Sequence, residues 1–222
     1  MSARLLFPDP QAAADLLTFA ARTIRLGDGT VRLRADGGVL VATAAPLAPR
    51  GLLDATPTVL GLRVSAIDPE LECDVVVDAS ALLPAADDAN AVVLPETATS
   101  PAWAGISPPQ GGWEQTDAID AAVLAARAQY GVAAVADALP ADAGEDVVRV
   151  IRAQVWGQAD EALAGLPLGV AFAAFALGFI AGGEEAPVRR SGAWTRVSLA
   201  RGHVLVRGPV RSGLTAVRAT GS

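Results

Sequence analysis

His203 is the only histidine of this 222-residue chain, and Ser198 precedes it by five residues, across a turn at Arg201-Gly202. A histidine beside a hydroxyl can act as a general base toward that hydroxyl or toward water. The chain lacks the Gly-x-Ser-x-Gly motif that presents a nucleophilic serine on a strand-to-helix turn. One hypothesis is therefore a small hydrolase or small-molecule enzyme that uses carboxylates with His203. The other is a hairpin histidine in structural hydrogen bonds, and no catalytic residue is assigned.

The side chains that are missing restrict the chemistry further. The chain has no lysine, so it cannot form a lysine Schiff base, anchor pyridoxal phosphate or fill the P-loop lysine position. Its single cysteine, Cys73, excludes an internal disulfide and a multi-cysteine zinc site. The acids from Asp68 to Asp74 alternate along a strand, which spreads them in a row rather than around a metal ion. We expect no cofactor and no metal, and we favour a non-catalytic role while an enzyme stays open.

Charge is distributed unevenly along the chain. Between Arg63 and Arg127 there are eleven acidic residues and no basic one, whereas seven arginines and no acid follow Glu185. Such asymmetry favours a positive surface that docks on a negative one, within the chain or between subunits. Anionic-ligand or nucleic-acid binding through the arginine-rich C-terminal hairpin is the alternative. Arginine stays charged and binds carboxylates in a bidentate fork, so it suits recognition better than proton transfer.

Two tryptophans lie in the Trp/Pro loop, residues 95–116, which has no regular periodicity. A loop of this length is typical of a binding segment, a packed connector or a linker, and the tryptophans argue against a floppy linker. The sequence predicts a contact surface at this loop or at the C-terminal arginines. The candidate contact residues for a ligand or partner are Trp103, Trp113, Arg189, Arg190, Trp194, Arg196, Arg201 and His203.

The N-terminal half shows helical and then alternating apolar spacing. Asp9 and Pro10 predict the start of a helix over about 10–25. Alternation then predicts a hairpin around Asp36-Gly37-Gly38, a strand near 58–66 and a strand near 71–79. We interpret these as four strands in an antiparallel meander, with acids of the last strand matched by Arg63 on the strand before it.

The C-terminal half combines helices with β-type alternation. Thr116 is a plausible N-cap for a helix that Gly131 interrupts, and residues 145–156 predict another helix. The uncharged run over 162–183 predicts a buried central helix, because its dense apolar part is too short to span a membrane and acids flank it on both sides. Strands are predicted on both sides of the Arg201-Gly202 turn, with a third near 214–219.

Together these patterns predict an α+β fold: an N-terminal helix plus four-stranded antiparallel meander, then a helical block with a C-terminal β-hairpin. The expected regions are 1–94, the loop 95–116, and 117–222, with one compact unit as an open alternative. The N-terminus shows no secretory leader pattern, so a cytoplasmic location is expected.

Three phrases resemble a family of uncharacterised proteins from GC-rich bacteria: FPDP at 7–10, AWAGISPPQGGWE at 102–114 and GAWTRVSLARGHVLVR at 192–207. The resemblance covers most of the chain and implies no assigned activity. We therefore expect a non-catalytic binding or assembly protein of unassigned role. Its predicted partner is a second copy (a homodimer) or another protein, and neither nucleic acid nor a membrane is expected.

Overall fold

The computed structural model describes residues 3–51 and 54–208. Within these ranges the strands are β1 (Arg4–Leu6), β2 (Thr30–Asp36), β3 (Val39–Leu47), β4 (Thr58–Ala66), β5 (Cys73–Asp78), β6 (Leu83–Pro84), β7 (Ala91–Val93), β8 (Glu114–Asp120), β9 (Ala159–Asp160), β10 (Leu166–Pro167), β11 (Glu185–Ser191), β12 (Trp194–Leu199) and β13 (Gly202–Arg207). The α-helices are α1 (Pro10–Thr23), α2 (Ala121–Ala138), α3 (Glu145–Gly157) and α4 (Gly169–Ala176).

One antiparallel sheet of eight strands, in the order β5-β2-β3-β4-β13-β12-β11-β8, organises the protein. The first four strands in that order come from the N-terminal half and the last four from the C-terminal half. The two halves are joined where β4 pairs with β13, with Leu60 opposite Leu205. Backbone hydrogen bonds therefore run across the whole molecule, because this central pairing connects one half to the other.

The predicted fold class is wrong in the arrangement of its strands. All four N-terminal strands exist, but β5 pairs with β2 and not with β4, so they do not form a meander. Alternation identifies a strand and its buried face, but it does not identify the neighbouring strand. Arg63 accordingly pairs with Asp15 of α1 at 2.5 Å, on the opposite face from the acids expected to match it.

The C-terminal half also differs from the predicted helical block with a hairpin. Its strands β11 to β13 extend the central sheet, and β8 forms the far edge in place of the helix start expected at Thr116. Asp120 caps α2 instead, by accepting a hydrogen bond from the Ala122 backbone N–H at 2.8 Å. The strand predicted near 214–219 lies outside the described residues.

α2 continues through Gly131, where the sequence indicated an interruption. A Cβ atom built on Gly131 would lie 2.1 Å from Cζ3 of Trp156 on α3. Glycine is therefore required here for close packing between two helices rather than for a break in α2.

The main core lies between the inner face of the sheet and the helices. Phe19 of α1 stacks on Phe179 with ring centroids 6.3 Å apart, which links the two halves beneath the β4–β13 junction. Within the uncharged run only Gly169–Ala176 is α-helical, and Phe175 is 47% exposed while Phe179 is buried. None of the helices in the described ranges is long and apolar enough to cross a membrane.

A smaller second core lies on the outer face, beneath the Trp/Pro loop. The loop leaves the β5 edge, where Thr99 N–H donates to the Val76 carbonyl at 2.7 Å, and crosses the sheet to β8. Trp103 packs there with Leu60, Trp194 and Leu205. The loop is thus anchored across both halves of the sheet before β8 begins at Glu114.

Candidate binding site on the outer face

Three neighbouring strands place polar side chains side by side on the outer face of the C-terminal half. In the register of the sheet, Arg189 of β11 lies opposite Arg196 of β12, and Ser198 lies opposite His203 of β13. Since side chains alternate along a strand, these four share the face that carries Leu205 and Trp194. We refer to Arg189, Arg196, Ser198 and His203 as the outer-face cluster.

The outer-face cluster is positive and has no acidic neighbour within ion-pair distance. Among the described residues, no carboxylate forms an ion pair with Arg189, Arg196 or His203. Burial, foremost, and then the charges of Arg196 and Arg189 lower the pKa of His203. Burial, followed by the charge of Arg189, also lowers the pKa of Arg196. The surroundings of the cluster therefore disfavour positive charge. The arginines carry that charge nevertheless, because a guanidinium stays protonated in proteins.

Three polar atoms of the cluster are buried without a hydrogen-bond partner among the described residues. They are Arg196 Nε, Ser198 Oγ and His203 Nδ1. Buried polar groups in proteins are almost always hydrogen-bonded, and leaving one unpaired costs about 1–3 kcal/mol. Three of the six buried side-chain atoms without a partner in the described residues therefore lie together on this face.

Trp113, at the end of the Trp/Pro loop, covers one side of the cluster. The Arg196 guanidinium carbon lies 4.6 Å from the centre of the Trp113 ring, which is the geometry of a cation–π contact. Ser191 Oγ donates to the Gly111 carbonyl at 3.1 Å and holds this end of the loop against β11. The loop thus fixes the orientation of the Arg196 guanidinium.

The other predicted tryptophans have a packing role in the structure. Trp194 and Trp103 are 7% and 5% exposed and fill the second core. The Trp103 indole N–H donates to Asp28 Oδ2 at 2.9 Å. Trp113 contacts the cluster from the loop, and Trp194 lies next to Arg196 on the same face of β12, so the Trp/Pro loop acts here as a packed connector with one end at the candidate site.

Two predicted contact residues lie away from the cluster. Arg190 follows Arg189 on β11 and therefore points to the opposite side of the sheet, where it is exposed. Arg201 lies in the β12–β13 turn, and its carbonyl accepts a hydrogen bond from Arg63 at 3.2 Å. The structure thus brings together Trp113, Arg189, Arg196 and His203 and separates Arg190 and Arg201 from them.

Sequence reasoning missed two residues that shape this face. Gln115 of the edge strand lies opposite Arg189, in the segment predicted to be the end of the Trp/Pro loop. Asp28, 75 residues before Trp103 in the chain, holds the buried end of the loop. Edge-strand alternation in EQTDAID could have indicated the first, but nothing in the sequence links Asp28 to Trp103.

The hydrolase hypothesis requires a carboxylate that works with His203. Within the described residues the charges that perturb His203 are arginines, and the unpartnered Ser198 Oγ and His203 Nδ1 make no hydrogen bond to each other. A general base needs hydrogen-bond contact with the proton it removes and a group that orients it. Neither relation that the hydrolase hypothesis requires of His203 is present among the described residues.

Two family models match the chain, one in each half. Residues 1–105 match a Domain of unknown function (DUF8010), and residues 108–211 match a Domain of unknown function (DUF8185). The predicted resemblance to an uncharacterised family without an assigned activity is confirmed by these matches. A comparison with curated proteins gives no match.

Several solved structures are similar in overall arrangement. The DNA polymerase sliding clamp from Caulobacter crescentus has 14% identity and a TM-score of 0.46, with 100% of this chain and 69% of the clamp covered. The DNA polymerase III subunit beta from Borrelia burgdorferi has 9% identity and a TM-score of 0.49, with 92% and 64% covered. The sliding clamp from Bacillus subtilis has 13% identity and a TM-score of 0.44, with 96% and 64% covered.

The chain therefore spans about two thirds of the length of these clamps. TM-scores below 0.5 assign neither a function nor a partner to it. They also give no support to the expectation that nucleic acid is not a partner.

Proposed function

We propose that this protein is a non-catalytic binding and assembly protein whose outer-face cluster receives the carboxylates of an acidic protein surface. The observation that carries the proposal is the pair Arg189 and Arg196, which lie opposite each other on one face and form no ion pair with any described residue. A carboxylate there would accept from the terminal N–H groups of both guanidinium groups and would neutralise their charge. Trp113 pre-orients Arg196, so less side-chain entropy is lost on binding.

A second copy of the chain offers an acidic surface of the required kind. The connection between β4 and β5 and the start of β5 carry exposed Glu70, Glu72 and Asp74, and only Asp74 forms an ion pair among the described residues. The whole chain has a net charge of −7, so acidic surface is abundant. Contact between the cluster of one copy and this acidic segment of another, repeated about a two-fold axis, would form a homodimer.

Salt dependence tests whether charge drives the association. We expect sedimentation equilibrium to show dimers at an ionic strength of about 0.05 M and dissociation at about 0.5 M, where charges are screened within a few ångströms. A chain that remains monomeric over the accessible concentration range at low salt would contradict the assembly part of the proposal.

Adjacent arginines on β11 provide a matched pair of variants. Arg189→Gln removes a cluster cation, whereas Arg190→Gln removes the same charge from the opposite face. We expect the first to weaken self-association at least about tenfold, which corresponds to about 1.4 kcal/mol, and the second to leave it near the native value. Equal effects of both would indicate a dependence on net charge and would contradict a site at the cluster.

The cluster could also receive phosphate, because the Arg196–Trp113 pair resembles the arginine and aromatic surfaces that bind single strands. Titration with a labelled single-stranded oligonucleotide separates the two partners. Suppose that the oligonucleotide binds tightly, that Arg189→Gln abolishes this binding, and that the native chain does not self-associate. The partner of the cluster would then be a nucleic acid and not an acidic protein.

A further inference from the structure

A second concave site lies away from the outer-face cluster. A cleft of about 1230 Å³ opens between α3, the segment that follows β3 and the buried end of the Trp/Pro loop. Its size exceeds the 300–1,000 Å³ that is usual for small-molecule sites. It therefore has room for a ligand of the size of a cofactor or an acyl chain.

One side of α3 forms a wall of the cleft. Val148, Arg152 and Trp156 follow one another at intervals of four residues, so they project from the same side of the helix. Trp156 stacks on Phe172 of α4 with ring centroids 4.3 Å apart and an interplanar angle of 17°. Leu47 and Pro57 add further apolar surface to the lining. Because Trp156 is almost fully buried, Phe172 presents the aromatic surface of this pair to the cleft.

The orientation of Trp156 leaves a hydrogen-bond donor without a partner. Its six-membered ring packs on Gly131 of α2, where a Cβ atom would lie 2.1 Å from Cζ3. The edge that carries Nε1 therefore faces away from α2. Trp156 is 3% exposed, and its Nε1 has no hydrogen-bond partner among the described residues. Indole N–H groups that are buried usually find an acceptor, so a ligand oxygen at the base of the cleft would complete this one.

Arginines give the rim of the cleft a positive character. Arg25, Arg50 and Arg152 line it and form no ion pair with any described residue, and Arg149 pairs with Asp146. The charge of Arg50 acts on Asp54, whereas Arg25 and Arg152 have no carboxylate within ion-pair distance among the described residues.

Two of the three rim acids are engaged in local structure, and the third, Glu145, lies in the first turn of α3. Asp28 accepts from the Trp103 indole and from Thr30. Asp54 accepts from the backbone N–H groups of Arg50 and Thr56 at 2.9 Å each. Hydrogen bonding from Thr56, foremost, lowers the pKa of Asp54, so this carboxylate stays ionised and holds the turn. These carboxylates therefore stabilise the walls of the cleft.

We propose that the cleft binds an amphipathic organic anion, with a flat apolar body against Phe172, which is backed by Trp156, and an acidic group among the rim arginines. Charge complementarity specifies the anionic group, and the stacked aromatic pair specifies the flat body. The site is separate from the outer-face cluster, so its occupation does not depend on the assembly proposed above.

The fluorescent probe 8-anilinonaphthalene-1-sulfonate has this chemistry and reports its own burial. We expect it to bind the native protein at one site with increased emission. Arg152→Gln removes a rim charge and Ala153→Phe fills the cleft, so each should weaken binding at least about fivefold. Arg190→Gln, away from both the cleft and the outer-face cluster, should leave binding unchanged. Urea denaturation of each variant establishes that it is folded before the comparison.

Competition identifies the body of the ligand. Displacement of the probe by 1-naphthyl phosphate but not by decanoate supports a flat anionic ligand. Displacement by decanoate alone would contradict the proposal that the ligand has a flat body. Unchanged probe affinity in both Arg152→Gln and Ala153→Phe would contradict the proposal that the cleft is a binding site.

Discussion

The two halves of the central sheet use arginine in opposite ways. In the N-terminal half, Arg32 on β2 forms a two-pronged ion pair with Asp74 on β5, and Arg63 on β4 pairs with Asp15 on α1. In the C-terminal half, Arg189 and Arg196 lie on neighbouring strands of the same outer face with no ion pair to a described residue. The residue type and the strand alternation are the same in both halves.

The edge strands explain the difference. β5 places Asp74 next to the arginines of β2, whereas β8 places Gln115 opposite Arg189. An arginine that has a carboxylate on the adjacent strand forms an ion pair that stabilises the fold. Grouped arginines without such a carboxylate are available to bind a partner. The distinction therefore depends on which strand forms the edge, and it cannot be inferred from the number of arginines.

The largest expected effect distinguishes the two ends of the Trp/Pro loop. Trp103 is buried in the second core with residues of both halves and bonded to Asp28, so Trp103→Ala should lower the free energy of unfolding by about 3–5 kcal/mol. Trp113 is half-buried on Arg196, and Trp113→Ala should cost about 1 kcal/mol or less. Urea denaturation followed by circular dichroism measures both. Equal losses would mean that both ends of the loop contribute equally to its anchoring.

A smaller difference is expected between the arginines themselves. Arg32→Gln loses two hydrogen bonds to Asp74 and one to the Ala104 carbonyl, so it should destabilise the fold by about 1 kcal/mol after allowance for solvent screening. Arg196→Gln removes a guanidinium that has no carboxylate partner and should change stability by less than about 0.5 kcal/mol.

A double-mutant cycle with Asp74→Asn provides the control for the arginine prediction. It should show coupling between Arg32 and Asp74. A loss on Arg196→Gln as large as that on Arg32→Gln would contradict the division between folding and recognition arginines.

The pH dependence of stability is the smallest predicted effect. The pKa of His203 is lowered in the folded state by burial, foremost, and by Arg196 and Arg189, relative to about 6.5 in an unfolded chain. The unfolded state therefore binds more protons as pH falls below about 6.5, so this group reduces stability there and has no effect at higher pH.

His203→Gln should reduce the dependence of the free energy of unfolding on pH as the pH falls below about 7. Chemical denaturation at several pH values measures this dependence. The single histidine also gives one imidazole signal in a proton NMR titration. An NMR midpoint above about 6.5 in the monomer would contradict the lowered pKa and would require an acidic neighbour.

Sequence patterns predicted the local elements well. The Asp9 cap, the hairpin at residues 36–38 and the helix that begins at Glu145 are present, because each depends on neighbouring residues alone. The pairing of β5 with β2 and of β8 with β11 could not be predicted in this way. Every strand with one apolar face fits several neighbours, and the choice depends on contacts between residues far apart in the chain.

The candidate site was predictable only in part. The grouping of arginines after Glu185 indicated a positive surface, and strand alternation could have separated Arg189 from Arg190. The unpartnered atoms of Arg196, Ser198 and His203 depend on the register of three strands and on the position of Trp113. These relations exist only in the folded sheet.

Mixing two complementary variants tests the central claim most directly. One chain carries Arg189→Glu and Arg196→Glu, and the other carries Glu70→Arg and Glu72→Arg. Neither should self-associate, but the mixture retains one native pairing of cluster and acidic segment. Light scattering at low salt should therefore show monomers in each separate sample and heterodimers in the mixture. A mixture that stays monomeric while the native chain dimerises, or a chain with both arginines reversed that still dimerises, would contradict the account.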